Sequence, residues 1–310
     1  MKYVQFVNSL LKNVIKKEND LVLYGQNINA ASCLSGLTRG LGNVNSGLTI
    51  NTPNCENTLV GIGFGLMLSG TSSIYFMKQM DFLLLGIDHL VNTYNIIRQD
   101  KPEVSFTIFP INVDSGYEGP QSALNNFNDF CSIAGVTGYS FTNKIDTEQI
   151  ISNYLIQPGF RIMSPSQRLL RDDLIDMEAV HEGKNCFYFQ YKKGQDVSII
   201  CYNYSLPYGL IIAEEFRKKN IFPSLFSVNS YLEFDYSYII NDLQKTKNLI
   251  LIDDTKSRNS SSDKFLKNVY NTCDLKKKIV LNRKFSKDLF SPRHDQLIID
   301  YHSVIEGFCD

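Results

Sequence analysis

The stretch NTPNCENTLVGIGFGLMLSG (51–70), followed at once by SSIYFM (72–77), decides how this chain is read. Residues 54–70 predict a helix, with Asn54 as N-cap, Glu56 in the first turn and Gly70 as the stop. Gly61, Gly63 and Gly65 fall inside it, each costing about 1 kcal/mol against alanine, so something is expected to pack very close to that face. The run GIGFG is no dinucleotide loop, because it lies within a helix and not in a strand-to-helix turn. SSIYFM reads as the next strand, and LVLYG (21–25), stopped by Gly25, reads as a buried parallel strand before it.

Working outward, DFLLLGIDHLVNTYNIIRQ (81–99) predicts one long apolar helix. VSFTIFPINV (104–113) predicts a strand that runs into the loop SGYEGPQS. Strands alternating with helices imply parallel βαβ units, whose ligand loops gather at the carboxyl ends of the strands. The loops after residues 25, 77 and 113 are therefore where chemistry is expected.

The segment GKNCFYFQYKKGQD (183–196) combines a β-rich run with Gly- and Lys-bearing turns, and DVSIICYNYS opens a fresh strand after it. A boundary placed here divides the chain into domains 1–190 and 191–310, both α/β, the second smaller. That second unit alternates again: helix 207–219, strand 221–228, helix 235–245, strand 248–253, helix 261–271 and strand 278–281.

Bulk properties agree with two ordinary domains in 310 residues. With 31 basic and 32 acidic residues the formal charge is -1, which gives no electrostatic case for nucleic acid or an anionic membrane surface. Seven cysteines stand singly, without a C-x-x-C pair, so neither a zinc site nor a disulfide framework is indicated and a reduced, cytoplasmic compartment is expected. The first twenty residues pattern as an amphipathic surface helix, and no apolar run is long enough to span a bilayer.

Taken in order, NTPNCENTLVGIGFGLMLSG, YFMKQMDFLLLGIDHLVN and GYEGPQ resemble the first domain of the β subunit of 2-oxo acid dehydrogenase decarboxylase components. More distantly they resemble the pyrimidine-binding domain of transketolase. The residues that carry the likeness are Asn51, Thr52, Pro53, Glu56, Phe82, Asp88, Val91 and Asn92. The second half, DVSIICYNYSLPYGLIIAEEF through NLILIDD, is similar to the transketolase C-terminal domain.

The resemblance implies a pyrimidine-binding parallel-sheet domain followed by a smaller transketolase C-terminal-like domain, with thiamine diphosphate as cofactor. It implies that Glu56 hydrogen-bonds N1′ of the aminopyrimidine, favouring the imino tautomer through which the thiazolium C2 proton is removed. It implies that Phe82 packs its ring on the aminopyrimidine. Read without the family, Glu56 would complement the helix dipole and Phe82 would be a core residue at a strand–helix junction.

The chain also departs from the pattern. Gly119-Pro120-Gln121 is followed by Ser122 where the β-subunit family has histidine, and no histidine lies between His89 and His181. Gln79 stands where relatives have a phenylalanine facing the cofactor, so a more polar pocket is expected. Gln26-Asn27 replaces an acidic pair, and Asn51 replaces aspartate. Glu118, Gln121 and Ser122 are candidates for substrate contact, with His294 near the C-terminus as a further one. The chain has no Gly-Asp-Gly motif, through which the family holds Mg²⁺ and the diphosphate, so an α-type partner chain carrying that motif is expected in a heterotetramer of two chains of each kind. The activities implied are decarboxylation of a 2-oxo acid with acyl transfer, two-carbon ketol transfer on a ketose, or a non-catalytic structural role.

Overall fold

In the computed structural model, residues 1–115, 126–231, 234–257, 259–283 and 296–309 are described. The N-terminal helix α1 (Tyr3–Ile15) precedes β1 (Val22–Gly25), β2 (Thr49–Asn51), α2 (Glu56–Leu68) and β3 (Ser73–Met77). Next come α3 (Tyr94–Ile97), β4 (Ser105–Pro110), α4 (Phe127–Ala134), β5 (Gly138–Phe141), α5 (Lys144–Tyr154) and β6 (Gly159–Pro165). The remainder comprises β7 (His181–Glu182), β8 (Tyr188–Lys192), β9 (Val197–Tyr202), α6 (Leu206–Lys218), β10 (Pro223–Val228), α7 (Ser237–Thr246), β11 (Asn248–Asp253), α8 (Asp263–Thr272), β12 (Lys277–Asn282) and α9 (Tyr301–Cys309).

The first sheet has strand order β2-β1-β3-β4-β6-β5 and is parallel throughout. Both faces are covered, which is why SIYFM and SFTIFP can be buried along their whole length instead of alternating. The second sheet runs β12-β11-β9-β10-β8-β7; its first four strands are parallel, and β8 and β7 add antiparallel edges. This is the two-domain α/β architecture expected from the sequence. The chain passes from one sheet to the other between Pro165 and His181, so β7 and β8 join the second sheet although β7 and the start of β8 precede residue 190.

Two local expectations change. Cys55, not Asn54, takes the cap position of α2, and no side chain caps the helix. Its C-terminus does end on Gly70, at φ 78°, with Thr71 N donating to Leu66 O at 2.9 Å and Gly70 N to Met67 O at 3.2 Å. The long helix expected over 81–99 is broken into a 3₁₀ stretch (Met80–Gly86), a π turn (His89–Thr93) and the short α3. The break falls where the segment meets α2: at Gly86 a Cβ would sit 2.6 Å from the Val60 side chain, so the backbone there is pressed onto its neighbour. The N-terminal helix α1 is amphipathic as expected, with Tyr3, Val7, Leu10, Leu11 and Ile15 in the core and the Tyr3 hydroxyl donating to Phe141 O at 2.8 Å.

A polar seam joins the two sheets. Ser140 N donates to Asn229 O at 3.0 Å and Asn229 Nδ2 returns a bond to Ser140 O at 2.9 Å. Beside it, Arg168 ion-pairs with Asp114 at 3.3 Å and Asp254 at 3.6 Å, and Arg283 donates to the backbone carbonyls of both aspartates. Burying Asp114, Asp254 and Arg283 is tolerable only because each is paired or hydrogen-bonded. Among the described residues, no helix is long and apolar enough to cross a membrane.

Candidate functional site

Parallel packing brings the carboxyl ends of β1, β3 and β4 to one edge of the first sheet, and two adjoining hollows lie there. The first is lined by Glu56, Phe82, Gln26, Asn54, Tyr75 and Lys78, with Leu59, Phe76 and Met77 behind them. Glu56 is the first residue of α2 and half-buried; its carboxylate makes no hydrogen bond or ion pair with any described residue. It therefore does not cap its own helix. Phe82, also half-buried, reaches the same hollow from the 3₁₀ stretch after β3.

Tyr75 forms the inner wall. Its ring stacks on Tyr24 at 5.1 Å between centroids, and the Tyr24 hydroxyl donates to Leu59 O at 2.9 Å, which ties strand and helix together behind Glu56. Burial first, and the Glu56 carboxylate next, push the Tyr75 phenol well above its ordinary range, so it stays neutral beside the acid.

The second hollow, a cleft of about 140 Å³, is lined by Asn27, Ser32, Leu34, Ser35, Lys78, Gln79, Ile111, Gln167 and Leu170. One wall is the loop after β1, where Asn27, Ala31, Cys33, Leu34 and Ser35 all adopt positive φ, between 49° and 60°. Left-handed backbone costs a non-glycine residue about 1–2 kcal/mol, so this loop is held by its surroundings against its own preference. Lys78, at the end of β3, lines both hollows.

Glu56 and Phe82 thus share one hollow, Gln79 lines the neighbouring cleft, and the loops after residues 25 and 77 converge on the pair. Glu118, Gln121, Ser122 and His294 lie outside the described residues. Two residues escaped the sequence reading, Tyr75 and Lys78. A lysine ending an otherwise apolar strand was the available signal for Lys78, because such an end opens onto the ligand edge of a parallel sheet.

The outer side of α2 is apolar and open. Gly63 lies against Phe106, where a Cβ would meet the ring at 2.1 Å, and Gly61 lies against His89 at 2.9 Å. At Gly65 nothing among the described residues stands within 4 Å. Exposed Ile62, Leu68, Leu84 and Leu85, at 44%, 65%, 53% and 58% accessible, lie on α2 and on the 3₁₀ stretch packed beside it.

The fit of the first hollow to an aminopyrimidine can be judged from its groups. A free carboxylate, an aromatic ring, side-chain amides and an apolar floor are what a flat nitrogen heterocycle requires. The hollow by itself holds only about 10 Å³, room for about one water, and it is open. A ring placed there would rest on this chain with its outer side left to be covered from elsewhere.

Fold and site together define a two-domain α/β chain of the transketolase C-terminal-half type, with an acid and an aromatic at the ligand edge of its first sheet. In sequence and in fold the chain is similar to the β-subunit and transketolase-like thiamine diphosphate enzymes. It is 21% identical over 291 residues to the 2-oxoisovalerate dehydrogenase subunit beta of Bacillus subtilis, covering 85% of this chain and 82% of that protein. It is 23% identical over 262 residues to the mitochondrial pyruvate dehydrogenase E1 component subunit beta of Dictyostelium discoideum, covering 80% and 72%. Among solved structures, a split gene transketolase, described as an inactive beta4 tetramer, superposes with a TM-score of 0.68 at 11% identity, covering 98% of this chain and 96% of that one. No family model matches the chain.

Proposed function

We propose that this chain is the β-type subunit of a thiamine diphosphate enzyme, binding the aminopyrimidine through Glu56 and completing its site with an α-type partner. The observation that carries this reading is the free Glu56 carboxylate at the mouth of the hollow it shares with Phe82. When bound, the cofactor supplies an electron sink for charge developing beside a substrate carbonyl. Glu56 holds or releases a proton at its carboxyl oxygens, Phe82 stacks on the ring, and Tyr75 keeps a neutral wall behind the acid.

The partner supplies what this chain lacks. Its sequence has no Gly-Asp-Gly, and among the described residues no group of three or more His, Cys, Asp or Glu could hold a metal ion. Mg²⁺ and the diphosphate are assigned to the α-type chain, which seats on the open site edge and the apolar α2 face in a heterotetramer. The six described cysteines are all free, which suits a reducing, cytoplasmic compartment.

Decarboxylation of a 2-oxo acid with acyl transfer is the reaction favoured by the dehydrogenase β subunits matched in sequence. Ketol transfer is the second reading, favoured by the end-to-end superposition on a split transketolase chain. Co-purification with the α-type chain followed by calorimetry with thiamine diphosphate and Mg²⁺ tests the proposal. Saturable binding by the pair is expected; its absence leaves the chain a non-catalytic subunit.

A further inference from the structure

Lys78 is exposed, directly follows β3, and makes no hydrogen bond or ion pair with any described residue. It stands where the two hollows meet. In the larger cleft the remaining polar side chains are the amides of Asn27, Gln79 and Gln167 and the hydroxyls of Ser32 and Ser35. Among the described residues no carboxylate lines that cleft. Glu56 lines the other hollow, which Lys78 also borders.

An ammonium set among neutral donors and acceptors recognises an anion that also carries hydroxyl or carbonyl oxygens. The ammonium takes the charge as a point donor, and the amides and hydroxyls take the uncharged oxygens. The apolar floor of Leu34, Ile111 and Leu170 limits how much water competes for those contacts. Because Lys78 also borders the Glu56 hollow, a molecule held by its anionic end in the cleft extends its other end toward Glu56.

We infer that the cleft is a substrate subsite in which Lys78 holds the anionic group, phosphate or carboxylate, of a small oxygenated substrate. The direction assigned to the reacting end rests on the function proposed above; the anion contact needs neither cofactor nor partner.

The full chain alone provides the test. Lysine acetylation with an N-hydroxysuccinimide ester, followed residue by residue in a mass spectrometer, compares Lys78 with Lys101 and Lys193 as exposed references. The probes are ribose 5-phosphate, pyruvate and plain ribose. The phosphate or the carboxylate probe is expected to slow acetylation of Lys78 at least threefold relative to the references, with ribose without effect. Protection by ribose 5-phosphate alone assigns a sugar phosphate, and protection by pyruvate assigns an oxo acid; either supports the subsite. Titration of the protecting probe into the Lys78→Met variant should show at least tenfold weaker binding at an unchanged melting temperature, with Lys78→Arg close to wild type. No protection by either anion, equal protection by ribose, or undiminished binding to Lys78→Met overturns the inference. Thiamine diphosphate is absent from every arm, so failure here leaves the cofactor reading standing, and failure of cofactor binding leaves the anion site standing.

Discussion

Glu56, at the start of α2, and Phe82, in the 3₁₀ stretch after β3, line one hollow at the carboxyl edge of the first sheet. The acid has no partner among the described residues, and the ring beside it is only half-buried. Replacing Glu56 by Gln keeps the shape and removes the exchangeable carboxyl proton. Turnover of the assembled enzyme should fall by about 10²–10⁴-fold, the range for loss of a positioned acid or base. Unchanged turnover in steady-state assays would remove Glu56 from the chemistry.

The three glycines of α2 separate packing from assembly. Gly63→Ala pushes a methyl group into the Phe106 ring and should destabilise the chain by about 1–3 kcal/mol in urea unfolding. Gly65→Ala meets nothing within 4 Å among the described residues, so the isolated chain should gain about 0.5–1 kcal/mol from helix propensity. If the partner packs on this face, the same Gly65 variant should bind it more weakly in an equilibrium sedimentation measurement.

Arg168 bridges Asp114 and Asp254, whose side chains are 0% and 1% accessible. Arg168→Met leaves both carboxylates buried with only part of their compensation, since Arg283 still lies against Asp254. Loss of a buried charge's partner costs about 3–5 kcal/mol, and the lower part of that range is expected here. A lowered denaturant midpoint, with the two domains melting separately in calorimetry, is the anticipated result.

Asp146 is fully buried and accepts hydrogen bonds from Thr142 N at 2.9 Å, Asn143 N at 3.0 Å and the Tyr191 hydroxyl at 2.9 Å. Burial outweighs those bonds and pushes its carboxyl up to about 6. The folded state therefore binds this proton more tightly than the unfolded state. Its stabilising effect is complete below the unfolded value near pH 4 and is lost as pH rises through about 6, on the order of 3 kcal/mol in all. Urea midpoints measured from pH 4 to 7 should show this decline, and Asp146→Asn should flatten it.

Much of the fold could be read along the chain because parallel strands buried on both faces leave continuous apolar runs such as SIYFM and NLILID. The helix between residues 81 and 99 could not be read correctly. Its apolar spacing is helical, but contact with α2 at Gly86 divides it, and periodicity carries no record of a neighbour. In the same way β7 and β8 looked like the close of the first domain, although their hydrogen bonds run to the second sheet.

By itself the sequence determined the order of strands and helices, the two α/β units, and the acid and aromatic worth examining, since these follow from local patterning and from motifs of fixed spacing. Only the tertiary structure decided that Glu56 and Phe82 share a hollow, that Gln79 lines a different one, and that Lys78 borders both. Those relations depend on which strand ends the parallel sheet places side by side, and strand pairing between distant segments leaves no mark on the residues nearby in the chain.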